Sequence, residues 1–140
     1  MTFLVHSISE LEPVCRELLR LSNSYSVFAL YGSLGSGKTT LVQHICKMLG
    51  IPENVTSPTY SIINEHMCNG KPLYHIDLYR LRSEEEAVQV GLEEYLFSGN
   101  LCFVEWPDHF ENLLPEQHIK IFIRKLENDI RSIEVVSSLQ

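Results

Sequence analysis

The sequence predicts an α/β domain whose mixed sheet lies largely at the centre and is flanked by helices. Three observations carry that expectation. Short apolar runs of strand length alternate with stretches of helical period, a glycine-rich turn joins one such run to a helix, and the C-terminal third alternates as an antiparallel pair does. With 140 residues, 44% of them hydrophobic and 21% charged, the chain has the size and composition of one globular domain, expected to span residues 1–140.

Each element has its own signal. Ser7 to Leu21 reads as a helix, with Ser9 as N-cap and Glu12 completing a capping box. Its apolar positions Leu11, Val14, Leu18 and Leu21 share one face. Ser26 to Tyr31 is an apolar strand that ends at Gly32. Thr39 to Leu49 is a second helix with Leu41, Val42, Ile45 and Met48 as its buried stripe, stopped by Gly50. Tyr60 to Glu65 and Leu73 to Asp77 read as strands joined through Asn69-Gly70, a dipeptide suited to tight hairpin turns. Ser83 opens another helix, where Glu84, Glu85 and Glu86 suit the positive end of the helix dipole. Leu101 to Val104 is a buried strand. Ile119 to Ile123 and Ile130 to Val136 form the antiparallel pair, turning at Glu127-Asn128-Asp129.

Charge and cysteine usage narrow the function classes. Eighteen acidic against eleven basic residues give a net charge of −7. No basic stripe is visible for neutralising nucleic-acid phosphates, so any work on RNA is expected to pass through a partner. Cys15, Cys46, Cys68 and Cys102 stand singly, without the close spacing of a zinc or redox motif, and read as reduced thiols. No run of eighteen apolar residues offers a membrane span, and the N-terminus lacks a basic region ahead of a long apolar run. A cytoplasmic location is expected.

The segment Gly32-Ser33-Leu34-Gly35-Ser36-Gly37-Lys38-Thr39 fits G-x-x-x-x-G-K-[ST], the Walker A pattern, at every fixed position. An apolar strand enters it and an amphipathic helix leaves it. The glycines let several backbone N–H groups converge on phosphate, and the helix N-terminus adds its positive end. Lys38 is expected on the β- and γ-phosphates and the Thr39 hydroxyl on Mg²⁺, with Thr40 following in the same site.

Hydrolysis also needs an acid for the metal or the water. Glu105 follows the apolar strand Leu101-Cys102-Phe103-Val104, at the carboxyl end where ligands of open α/β sheets bind. Asp77 ends a second, less apolar strand, and spacing alone leaves the two acids interchangeable. The hydroxyls of Thr56-Ser57-Pro58-Thr59 suit a loop closing on the γ-phosphate, with Thr59 the nucleotide contact. Trp106 follows Glu105, which puts its indole near the metal site. Arg131 is the C-terminal candidate to approach the base.

Four motifs now stand in order: GSLGSGKTT at 32–40, TSPTY at 56–60, HIDLYRL at 75–81 and VEWPDH at 104–109. Together they resemble the TsaE (YjeE) family of small bacterial ATPases that serve tRNA threonylcarbamoyladenosine modification. The resemblance covers almost the whole chain and includes Val90 to Leu96. It implies ATP or ADP as ligand with Mg²⁺, association with the TsaB–TsaD pair, and contact with tRNA only through those partners. It also implies Lys38 on the phosphates, Thr39 and Glu105 on the metal, Asp77 as a catalytic or water-positioning acid, and Trp106 close by. TSPT then resembles a first switch and HIDLYR a second. Ser36 stands where many members carry Ala, a small-for-small change. Three rivals remain: a small-molecule P-loop kinase, a regulatory GTPase, for which no Asn-Lys-x-Asp is present, and an ATP-dependent scaffold that never hydrolyses.

Overall fold

The structure, a computed structural model, describes residues 1–51 and 62–139. The strands are β1 (Thr2–Val5), β2 (Val27–Tyr31), β3 (Ile63–Cys68), β4 (Lys71–Asp77), β5 (Leu101–Glu105), β6 (Ile119–Lys125) and β7 (Arg131–Ser137). They form one seven-stranded sheet in the order β1-β7-β6-β2-β5-β4-β3. The four middle strands, β6, β2, β5 and β4, run parallel to one another, while β3 pairs antiparallel with β4, β7 with β6 and β1 with β7. The helices are α1 (Leu11–Leu21), α2 (Lys38–Met48), α3 (Glu84–Gln89) and α4 (Leu92–Leu96). The expected mixed sheet with flanking helices is what forms.

The middle of the sheet is parallel because its strands are apolar on both faces. Val27, Phe28, Ala29 and Leu30 of β2 are all fully buried. Phe28 and Leu30 join Phe103, Val14, Leu18, Leu41 and Ile45 in a core beneath α1 and α2. Val27 and Ala29 face the other way, with Ile76, Val104, Ala87, Leu92 and Leu96, beneath α3 and α4. Burying a side chain the size of Phe28 or Leu30 contributes about 1.5–3 kcal/mol. This packing fixes β2 and β5, whose ends carry the site.

The hairpin expected at Asn69-Gly70 joins β3 to β4, with positive φ of 51° and 79° at its two residues. β6 and β7 pair from Ile119↔Ser137 to Lys125↔Arg131. Ser83 caps α3, its hydroxyl accepting from the Glu86 N–H at 3.2 Å.

Three expectations need correction, and one strand was not foreseen. Ser9 does not cap α1: a 3₁₀ turn at Ile8–Glu10 precedes it, and the Ser9 hydroxyl bonds that of Ser7 at 2.9 Å. Glu10 instead reaches back and accepts from the His6 N–H at 2.6 Å, which leaves α1 with no side-chain cap. Met48 lies outside the buried stripe of α2, and Cys46 takes the covered position. Glu105 is the last residue of β5, one step inside the strand. β1 is a strand the sequence did not reveal, and it pairs with β7 from Thr2↔Glu134 to Val5↔Arg131. The start of the strand expected from Tyr60, and the whole of TSPT with Thr59, lie outside the described residues.

Candidate active site

β2 delivers the chain to Gly32, and α2 begins at Lys38. The loop between is closed by the Ser36 N–H donating to the Ser33 carbonyl at 3.1 Å. Gly32 has no room for a side chain, since a Cβ there would stand 2.8 Å from the Ile123 carbonyl oxygen of β6 and 2.5 Å from the Ser36 hydroxyl. Gly37 holds φ of 112° at the entrance to α2, a conformation costly for residues with a Cβ. The Ser36 hydroxyl is buried without a hydrogen-bond partner among the described residues. Free N–H groups at the start of α2 and this unsatisfied hydroxyl suit an anion.

Lys38 is only 5% exposed. Its ammonium donates to the Gly32 carbonyl and lies 3.4 Å from the centroid of the Trp106 ring. Burial holds its pKa below the ordinary lysine value, opposed by the charges of Glu105, Asp108 and Asp77. Trp106 reaches this position through a left-handed φ of 58°. That conformation is rare for a bulky residue, and more so ahead of Pro107. The strain turns the indole back over Lys38 and against Tyr79, the ring centroids 4.9 Å apart.

The Thr39 hydroxyl lies 3.0 Å and 3.1 Å from the two carboxylate oxygens of Glu105 and donates to them. Glu105 is 3% exposed, and one of its oxygens also bonds Nε2 of the fully buried His75. The pairing of β4 with β5 sets Asp77 directly beside Glu105. Asp77 is half-buried, and one oxygen accepts from the Tyr79 N–H at 3.0 Å.

In front of Glu105 lies a cavity of about 420 Å³, within the range of small-ligand sites. Ser33 to Thr40 form its floor, and Asp77, Tyr79, Glu105, Trp106 and Arg131 its walls. A second cavity of about 300 Å³ shares Ser36, Gly37, Thr40 and Arg131 with the first and is backed by Val5, Ile8 and Leu11. Arg131 stands between them, its Nε donating to the Ser36 carbonyl at 2.9 Å. The expected site residues within the described chain therefore gather at one place, with Gly32 directly behind the loop. Thr39 and Glu105 offer hard oxygens side by side, as Mg²⁺ requires.

Tyr79 lines the cavity and the fully buried His75 stands behind Glu105, although the sequence assigned neither a role of its own. The signal for His75 was present: in H-x-D on a strand, His75 and Asp77 must share a face.

Residues 5–133 match the family model described as threonylcarbamoyl adenosine biosynthesis protein TsaE. The chain is similar to the tRNA threonylcarbamoyladenosine biosynthesis protein TsaE of Haemophilus influenzae, 37% identical over 121 residues, 86% of this chain and 76% of that one. It is also similar to the protein of that description from Bacillus subtilis, 41% identical over 107 residues, 76% of this chain and 66% of the relative. Among solved structures, the crystal structure of Bacillus subtilis YdiB superimposes with a TM-score of 0.78 at 29% identity, covering 100% of this chain and 86% of that one.

Proposed function

The chain belongs to the TsaE family of threonylcarbamoyl adenosine biosynthesis proteins, and from that premise we propose that it is a Mg²⁺-dependent ATPase serving tRNA threonylcarbamoyladenosine modification by cycling a TsaB–TsaD complex. The observation that carries the ATPase reading is the contact between Thr39, in the first turn of α2, and Glu105 at the end of β5, 3.0 Å apart and next to Lys38 in the chain. A phosphate loop alone binds; a buried carboxylate against its metal-binding hydroxyl equips it for more.

The roles follow from position. The N–H groups of Ser33 to Thr39 hold phosphate oxygens, and Lys38 leaves the Gly32 carbonyl to reach the β- and γ-phosphates. Thr39 and Glu105 would hold the metal. Mg²⁺ bound there would supply charge neutralisation for the phosphates. Asp77, open to the cavity beside Glu105, orients the attacking water. Trp106 shields the reacting centre. The smaller cavity, apolar at Val5, Ile8 and Leu11 and edged by Arg131, is the seat of the adenine.

Among the described residues Arg131 is the one arginine lining the main cavity, and its Nε and one terminal nitrogen already donate to the Ser36 and Asp129 carbonyls. That disfavours a small-molecule kinase, which clamps the transferred phosphoryl group with free arginines. The charge of −7 suits a protein that leaves tRNA to its partners in the cytoplasm. Reconstitution with TsaB, TsaD and tRNA tests the proposal. Repeated rounds of modification should require this chain and fail with Lys38→Ala. Undiminished modification without the chain, or with that variant, would refute it.

A further inference from the structure

We infer that His75 is a positioning residue for the metal-binding carboxylate, fixing Glu105 through a hydrogen bond from its Nε2–H. The inference rests on the proposed role of Glu105. His75 sits on β4 opposite Phe103 of β5, so Glu105 is its diagonal neighbour across the pair, within reach of a long side chain. Its side chain is fully buried, and Nε2 meets one Glu105 oxygen.

The tautomer follows from that contact. A neutral imidazole carries one N–H, and a bare Nε2 lone pair against a carboxylate oxygen would repel it. The proton therefore sits on Nε2, and in the neutral ring Nδ1 is left a buried acceptor with no partner among the described residues. An unsatisfied buried acceptor costs stability. An apolar residue, like Leu73 two places earlier on the same face, would avoid that cost. The histidine is explained by what it does for Glu105. Thr39 holds the carboxylate from the first turn of α2 and His75 from β4, so the plane of the carboxylate is set before the metal arrives. Outer partners of this kind typically change metal affinity by about 10–100-fold.

A Mg²⁺ titration of a fluorescent ATP analogue bound to the purified chain tests this. The unsubstituted protein should bind the analogue more tightly with Mg²⁺ than in EDTA. If it does not, the proposed metal site itself fails, whatever His75 does. His75→Leu, which fills the space but cannot donate, should match the unsubstituted protein in EDTA and need about 10–100-fold more Mg²⁺. His75→Gln, which returns an N–H near Nε2, should restore most of the difference. Full Mg²⁺ response in His75→Leu, or equal losses with and without metal, would overturn the inference. The ¹⁵N-histidine spectrum of the unsubstituted protein decides it without any variant: an Nε2–H tautomer at His75 is required, and an Nδ1–H tautomer contradicts it.

Discussion

Asp77 and Glu105 stand directly opposite one another at the ends of adjacent parallel strands, yet their surroundings differ in kind. Glu105 is buried and held by Thr39 and His75. Asp77 is half-buried, and a backbone N–H of the following turn braces it. Register alone makes the two acids equivalent; the groups packed around each make them different. A carboxylate clamped beside the Thr39 hydroxyl is suited to hold an ion, and one facing the open cavity is suited to orient water.

The largest effect expected from breaking this contrast is on turnover. Asp77→Asn should lower ATP hydrolysis by about 10²–10⁴-fold, as loss of a group that assists proton transfer does. Single-turnover assays with TsaB–TsaD present would read it, and unchanged hydrolysis would remove Asp77 from the mechanism. A smaller effect is expected opposite the acids, at the back of the loop. Gly32→Ala forces a methyl group against the Ile123 carbonyl, which cannot move without shifting β6. We expect about 1–3 kcal/mol of destabilisation, read as a lower melting temperature together with weaker nucleotide binding. Unchanged melting would mean that the loop is not wedged against β6.

The smallest effect concerns the core on which both strands rest. Burial pushes the Cys15 and Cys102 thiols up to about 12 and Cys46 to about 11, from an ordinary 9.0. A raised thiol pKa means that the folded state resists ionisation. Its contribution to stability is full below about pH 9 and is lost as the pH climbs toward 11–12. Iodoacetamide at pH 8 should therefore label the native protein at the half-buried Cys68 and leave the other three until unfolding. Labelling of all four at one rate would contradict that burial.

The sequence revealed most where a local rule suffices. The glycine pattern of the loop, the two-residue hairpin turn and the apolar middle strands depend on near neighbours. Register across the sheet does not, so the exchange of roles between Asp77 and Glu105 stayed open and His75 had no assigned role. β1 escaped notice because four residues with Leu4 exposed carry no alternation strong enough to read. Its place follows from long-range pairing with β7. The Ser9 cap failed because an exposed hydroxyl had a nearer partner in Ser7. Met48 continued a helical stripe that reaches the end of α2, where the core no longer covers it.

The division of labour between the two acids is tested most directly by Mg²⁺ titrations of bound fluorescent ATP analogue in Glu105→Gln and Asp77→Asn. Glu105→Gln should bind the analogue in EDTA as the unsubstituted protein does but lose the gain from Mg²⁺, whereas Asp77→Asn should keep that gain in full. Retention of the gain in Glu105→Gln with its loss in Asp77→Asn would contradict the assignment and exchange the two roles.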